Sequence, residues 1–301
     1  MFYKLDKKMI TLSNGEEIAY VEKGSGEKTF ILIHGNFSSC YHYEPFYKII
    51  DDNYRVLAMD LRGYGDSSYN SPVQSIHDFA DDVALFLREK NVQKAIIIGW
   101  SLGGCVAMSL ASRYPEFAEK LILIASGSVK GYPVFKKNEA GLPILGSLYA
   151  SKDELALDPV QVLPMLACKQ NKDEEMMKNI WNMTIYTSSS KKHPTKEQNE
   201  VFIKETLKQR NLVDADWALM KFNISGEASF YSDGENIAQN IICPVLAVNG
   251  MQDLTVTKAM SDENKVAIPH LKQLYYNDCG HSVINDEPQQ LLKDILNFIN
   301  E

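Results

Sequence analysis

Four short apolar runs punctuate the first 125 residues: Phe30-Ile-Leu-Ile33, Val56-Leu-Ala-Met59, Ala95-Ile-Ile-Ile98 and Leu121-Ile-Leu-Ile124. Each is bounded by glycine or charged residues, and none alternates with polar positions. Such runs fit strands buried on both faces of a parallel sheet. Between them lie helical patterns. Residues 76–90 place Ile76, Phe79, Ala80, Val83, Leu85, Phe86 and Leu87 mostly on one face, and residues 102–114 predict a second helix that Pro115 stops. Residues 9–13 and 16–21 flank Asn14-Gly15, a strong hairpin signal. Strand–helix alternation predicts an α/β fold. From about 130 to 235 the rhythm breaks. No buried-strand run occurs there, and helices are expected at roughly 152–157, 159–168, 173–186, 195–210 and 213–222, punctuated by Pro143, Pro159, Pro164 and Pro194. The rhythm resumes at Val245-Leu-Ala-Val248 and Lys272-Gln-Leu-Tyr-Tyr276, and a helix over 288–300 closes the chain. The simplest organisation is one α/β core, 1–129 with 236–301, interrupted by a helical insertion at 130–235.

Composition narrows the function classes. The 301 residues are 45% hydrophobic and 23% charged, which is globular and excludes disorder, collagen and coiled coil. A net charge of −8 argues against a mainly electrostatic grip on nucleic acid or on an anionic membrane. No stretch approaches the roughly 18 apolar residues of a membrane span, and no apolar run follows the first eight residues as a signal peptide requires. The five cysteines, Cys40, Cys105, Cys168, Cys243 and Cys279, are odd in number, widely spaced and free of Cys-x-x-Cys pairs. A disulfide framework or zinc ribbon would look different. The expectation is a soluble cytoplasmic protein acting on a small molecule, with no nucleic-acid or membrane partner.

The sharpest chemical signal is Ile98-Gly99-Trp100-Ser101-Leu102-Gly103-Gly104, between a predicted strand and a predicted helix. That is the context of a nucleophile elbow, where a serine sits on a tight strained turn and the helix N-terminus favours a developing oxyanion. Asn277-Asp278-Cys279-Gly280-His281 follows the last predicted strand, and His281 is placed to take the serine proton and return it to a leaving group. Asp253 follows the run 245–248, 28 residues before His281, and would fix the imidazole tautomer. Asp262 and Glu263 fall in a helix-like stretch, and Asp278 is too near His281. His34-Gly35-Asn36-Phe37 follows an early strand, so the backbone N–H of Asn36, with that of Leu102, is expected to form the oxyanion hole. His34 reads as a structural loop residue and Cys105 as helix packing. Phe37, Trp100, Trp181 and Tyr186 are candidates to line an apolar acyl pocket, although aromatics in such places are more often packing. Lys191-Lys192-His193 reads as a solvated loop. The six histidines show no ligand-type pairing, so no metal or cofactor is expected.

Together these pieces resemble the α/β-hydrolase superfamily, and Asp60-Leu-Arg-Gly-Tyr-Gly-Asp-Ser67 matches that family's D-x-x-G-x-G-x-S segment. The resemblance covers about residues 10–129 and 236–301. It implies a mostly parallel eight-stranded sheet with a helical cap between strands 6 and 7. Gly99-Trp-Ser-Leu-Gly-Gly104 with His34-Gly-Asn36 and Val248-Asn-Gly250 looks similar to α/β-hydrolase-type acyl-homoserine lactone lactonases. His34-Gly-Asn36 also resembles haloalkane dehalogenases, but those use an aspartate where this chain has Ser101. The resemblance implies a serine hydrolase of esters or lactones. Meta-cleavage C–C hydrolases, which share the Ser-His-Asp layout, are the alternative, as is a ligand-binding receptor-like member of the fold, since fold alone does not specify function.

Overall fold

The computed structural model describes residues 2–186 and 193–301; Lys191 and Lys192 lie outside the described residues. The first part of the chain runs β1 (Lys8–Thr11), β2 (Glu17–Lys23), β3 (Thr29–Ile33), α1 (Glu44–Tyr47), β4 (Arg55–Met59), α2 (Ile76–Glu89), β5 (Ala95–Trp100), α3 (Leu102–Arg113) and β6 (Ala118–Ile124). The intervening stretch forms β7 (Phe135–Lys137), β8 (Pro143–Leu148), α4 (Lys152–Ala156), α5 (Leu163–Asn171), α6 (Glu174–Thr184), α7 (Lys196–Thr206) and α8 (Leu212–Lys221). The chain then returns to the main sheet through β9 (Val245–Gly250), α9 (Lys258–Ala267), β10 (Lys272–Tyr276), α10 (Val283–Asp286) and α11 (Pro288–Ile299).

Eight strands form one sheet in the order β1-β2-β4-β3-β5-β6-β9-β10. β2 is antiparallel to both β1 and β4, and every other pairing is parallel. The apolar runs are continuous because both faces are covered. Register puts Ile31, Ile97, Leu121 and Val245 in one row, and this row joins the core that contains Phe79, Val83 and Phe86 of α2 and Val106 and Leu110 of α3. The next row, Leu32, Ile98, Ile122 and Leu246, faces the opposite way and packs with Leu291, Ile295 and Phe298 of α11. A one-residue slip would exchange the two sets. Because β3, β5, β9 and β10 are parallel, the loops that follow them emerge at one edge of the sheet, where ligand sites of open α/β sheets lie.

The stretch between β6 and β9 differs from expectation in one respect. Its five helices lie close to the predicted spans, but a two-stranded antiparallel hairpin, β7 with β8, precedes them. The hairpin carries no strand signal for a physical reason. β8 opens on Pro143 and is interrupted by Gly146 at φ +80°, and Leu142, Ile144 and Leu145 are exposed rather than alternating inward. The link from α7 to α8 is fastened to the core. Arg210 N–H donates to Gly63 O and Asn211 Nδ2 to Arg62 O, both at 2.7 Å. Among the described residues no helix is long and apolar enough to cross a membrane.

Candidate functional site

Ser101 occupies the turn between β5 and α3 with φ 57° and ψ −121°, a conformation that L-residues hold only under constraint. The constraint is visible in its neighbours. Ser101 N–H donates to Ile124 O at 3.0 Å, and Ser101 O accepts from Gly104 N at 2.9 Å and Gly127 N at 3.2 Å. A Cβ on Gly99 would lie 2.2 Å from Gly103 O, and one on Gly103 would lie 2.2 Å from Ile33 O and 2.4 Å from His34 O. The glycines therefore let the chain double back against β3. On Gly35 a Cβ would lie 2.8 Å from Ser101 Cβ, so the loop after β3 rests directly on the serine.

His281, in the loop after β10, has its Nδ1 2.8 Å from Asp253 Oδ2. Asp253, in the turn after β9, uses its other oxygen, Oδ1, to accept from Thr255 N–H at 2.7 Å and Val256 N–H at 2.8 Å. Both side chains are almost fully buried, at 2% and 1% exposure. An ionised carboxylate only accepts, so the imidazole proton sits on Nδ1 and the Nε2 lone pair is left open. Trp100 Nε1–H donates to His281 O at 3.0 Å, which ties the residue before Ser101 to the histidine loop. No direct Ser101–His281 hydrogen bond forms among the described residues. Such contacts are often long in unliganded sites.

Neither Asn36 N–H nor Leu102 N–H donates to a backbone acceptor among the described residues. Leu102 is the first residue of α3, so its N–H is an orphan donor at the positive end of the helix. Asn36 is held by its side chain. Its Oδ1 accepts from Tyr64 Oη and Gln209 Nε2, both at 2.8 Å, and its Nδ2 donates to Asp216 Oδ1 at 2.7 Å. Asp216 lies on α8. Burial pushes its carboxyl up to about 7, against the pull of the Asn36 hydrogen bond, with Asp158 adding to the rise and Lys169 opposing it. Burial also raises the Tyr132 phenol, with the charges of Asp253 and Asp216 adding to the rise. Burial lowers Lys169 to about 8.

His34 is buried, donates from Nδ1 to Gly35 O at 2.8 Å and accepts on Nε2 from Leu61 N–H at 3.0 Å. Burial lowers it to about 4, so it stays neutral and joins the β3 loop to the end of β4. Cys105 is buried in α3, and burial raises its thiol. Of the four aromatic candidates, Phe37 keeps open surface. Trp100, Trp181 and Tyr186 are packed together with His42, at ring separations of 5.1 to 6.5 Å, and would have to move before a ligand touched them. A cleft of about 590 Å³ opens beside the Asp253 loop, walled by Tyr132, Met220, Phe230, Leu254 and Thr255 among others. A second cleft, about 890 Å³ between Val129 and His270, has none of Ser101, Asp253 or His281 in its wall.

The Asp60–Ser67 segment also gains a physical account. Asp60 is buried and accepts from Cys40 N–H at 2.7 Å, Asp66 N–H at 2.9 Å and Lys7 Nζ at 2.7 Å. Gly65 is required because its Cβ would lie 2.1 Å from Asp60 Oδ2, and Gly63 because its Cβ would lie 2.7 Å from Asn211 Nδ2. Asp60, Asp66 and Glu205 are the one group of carboxylates, among the described residues, arranged to meet at a single ion. Lys7 Nζ already sits 2.7 Å from all three. Sequence reasoning missed Tyr64, Thr206, Gln209 and Asp216 as neighbours of the Asn36 loop. Tyr64 lay inside a recognised motif, but the other three carry no local signal.

The family model described as the alpha/beta hydrolase fold matches residues 28–288. A Haemophilus influenzae protein named as an esterase/lipase is 24% identical over 274 residues, spanning 90% of this chain and 83% of that protein. A Paraburkholderia phymatum protein named 2-hydroxy-6-oxononadienedioate/2-hydroxy-6-oxononatrienedioate hydrolase is 23% identical over 297 residues, spanning 96% and 94%. The solved enol-lactonase from Burkholderia xenovorans LB400 superposes with a TM-score of 0.73 over 98% of this chain and 100% of its own, at 16% identity, a likeness of fold.

Proposed function

This chain belongs to the alpha/beta hydrolase fold family, and we propose that within it the chain is a serine hydrolase of carboxylic esters or lactones of small, partly apolar substrates. One observation carries the reading. A strained elbow serine follows Trp100, whose indole N–H donates to His281 O, and the Nδ1 of that histidine is held 2.8 Å from a buried carboxylate, which leaves Nε2 free as a base. In the proposed mechanism Ser101 Oγ attacks the carbonyl carbon while His281 Nε2 takes its proton. Asp253 holds the imidazole and stabilises the imidazolium. The Asn36 and Leu102 N–H groups receive the oxyanion, in a site where fixed dipoles need no reorganisation. Collapse of the tetrahedral intermediate expels the alkoxide, which takes the proton from His281. A water molecule, deprotonated by His281, then attacks the acyl-enzyme carbonyl, and as the acid leaves, Ser101 Oγ takes that proton back from His281. Every step runs on side chains and backbone dipoles of this chain.

We place substrate selection in the 130–235 stretch, acting as a cap, with Phe37 and the cleft at Tyr132 and Met220 as its apolar wall. The relative named for 2-hydroxy-6-oxononadienedioate hydrolysis favours a second reading, C–C bond hydrolysis by the same three residues. The test is a panel of p-nitrophenyl esters from acetate to octanoate, with acyl-homoserine lactones and a vinylogous diketone acid, given to wild type and Ser101→Ala. Ester or lactone turnover lost in Ser101→Ala supports the reading. Turnover of the diketone acid alone supports the second one, and turnover indifferent to Ser101 overturns both. Stoichiometric retention of a ligand without turnover would indicate a receptor-like member of the fold.

A further inference from the structure

The loop that carries Asn36 is held from two sides: His34 Nδ1 donates to Gly35 O at 2.8 Å and Ser38 Oγ to Asn36 O at 2.9 Å, and further bonds come from the stretch between β6 and β9. Phe37 sits at φ +55°, in the left-handed region, so the peptide on either side of it needs external support. Three residues from the stretch between β6 and β9 provide that support. Thr206 Oγ1, at the end of α7, donates to Phe37 O at 2.6 Å. Gln209 Oε1 accepts from Phe37 N–H at 3.1 Å, and Gln209 Nε2 donates to Asn36 Oδ1 at 2.8 Å. Asp216 Oδ1, on α8, accepts from Asn36 Nδ2 at 2.7 Å. The core contributes Tyr64 Oη to the same Asn36 oxygen. Thr206 and Gln209 are buried, while Asn36, Phe37 and Asp216 are part-buried. The clamp is itself anchored, since Gln209 Nε2 also reaches Asn211 Oδ1 at 3.0 Å and Asn211 bonds to Arg62 O.

We propose that Thr206, Gln209 and Asp216 are positioning residues that set the Asn36 N–H for the oxyanion, so that the α7–α8 segment completes the oxyanion hole as well as covering the site. The proposal rests on the serine-hydrolase reading above. Its physical content is that an oxyanion donor works only when aimed beforehand at the place where charge will develop. Here the aim is set by side chains about 170 to 180 residues away in the chain, on and between the helices α7 and α8. Seating of α7 and α8 and competence of the oxyanion hole are then one equilibrium. A substrate that wedges α8 away would also lose catalysis, which confines productive binding to molecules that fit beneath the seated segment.

The experiment compares wild type with Gln209→Ala, Asp216→Ala and Asp216→Asn, reading kcat and KM separately on the best ester. A second reading is the inhibition constant of an alkylboronic acid, whose serine adduct places an oxygen where the oxyanion would lie. Loosening one donor should cost less than the roughly hundredfold or more of deleting it. We expect kcat to fall about tenfold in both alanine variants, boronate affinity to fall by a similar factor and KM to stay within about twofold. Asp216→Asn keeps an acceptor for Asn36 Nδ2 and should recover most of kcat. Ile242→Ser, exposed in the link before β9, should change nothing. If Asp216→Ala does not fold, Asp216→Asn and Gln209→Glu, each keeping part of the clamp, supply the series. Unchanged kcat and boronate affinity in folded variants, or a change in KM alone, would overturn the clamp while leaving the serine mechanism standing. Turnover that survives Ser101→Ala would overturn the serine mechanism and the clamp with it.

Discussion

Asp253→Asn tests the site through the direction an amide must face. In the native site Oδ1 accepts two backbone N–H groups, from Thr255 and Val256, and Oδ2 faces His281 Nδ1. An asparagine there can place its NH2 in only one of two positions. Toward Thr255 and Val256 it would oppose two donors with a donor and leave two backbone N–H groups unpaired, at about 1–3 kcal/mol each. The NH2 will therefore face His281. That orientation makes Nδ1 an acceptor and moves the imidazole proton to Nε2, so the ring can no longer accept from Ser101. The loss expected from a wrong tautomer is about 10⁴-fold in kcat, or about 5.5 kcal/mol of transition-state stabilisation. Stability should change little, because every position keeps a hydrogen-bond partner. The assay is ester hydrolysis at pH 7.5 with thermal unfolding in parallel, and nitrogen NMR of the His281 ring reports the tautomer directly. A folded Asp253→Asn variant that keeps a tenth or more of wild-type kcat would refute the argument. So would a ring still protonated at Nδ1.

Other expectations follow from the same coordinates. Lys7→Met removes the ammonium shared by Asp60, Asp66 and Glu205 and should destabilise the protein by about 3–5 kcal/mol, since buried Asp60 is left without a counter-charge, while Lys208 still serves Asp66 and Glu205; a urea midpoint within error of wild type would contradict this. Gly103→Ala forces a Cβ to within 2.4 Å of two backbone oxygens, and about 3 kcal/mol of strain is expected, with activity lost as the elbow shifts; an unaltered melting curve would be the contrary result. Asp216 stands among Asp158, Lys169, Tyr64 and Tyr132, and its carboxyl is raised to about 7 in the fold. The folded state therefore keeps a proton that the unfolded chain releases near 3.8. Its contribution to stability is complete below that value and is lost as pH rises through about 7. Asp216→Asn, which cannot ionise, should melt higher than wild type at pH 8 and much the same at pH 4; equal shifts at the two pH values would show that the titration belongs elsewhere.

The elements of the core were legible because their signals are local. Continuous apolar runs at 30–33, 56–59, 95–98 and 121–124 fit strands covered on both faces, and residues 76–89 and 102–113 became helices at nearly their predicted ends. Gly99, Ser101 and Gly103 were readable for the same reason, since a strand that turns sharply into a helix tolerates few residue types. The order in which Ser101, Asp253 and His281 occur, each just after a strand, was enough to nominate them. The hairpin at 135–148 was not readable, because short exposed strands broken by Pro143 and Gly146 have no burial pattern. Trp181 and Tyr186 are candidates for a pocket wall in the sequence, and composition could not show that they also pack against each other.

The sequence by itself determined the α/β core, the turn that strains Ser101 and the candidates for base and acid, because each depends on residues close along the chain. Tertiary structure alone decided that Asp253, rather than Asp262, Glu263 or Asp278, holds His281 Nδ1. It alone joined Thr206, Gln209 and Asp216 to the Asn36 loop, and Lys7 to Asp60 and Glu205. The reason is distance along the chain. A hydrogen bond between residues 28 to 198 positions apart leaves no periodicity and no motif. It exists only once the sheet, built from short-range rules, has brought both ends to the same edge.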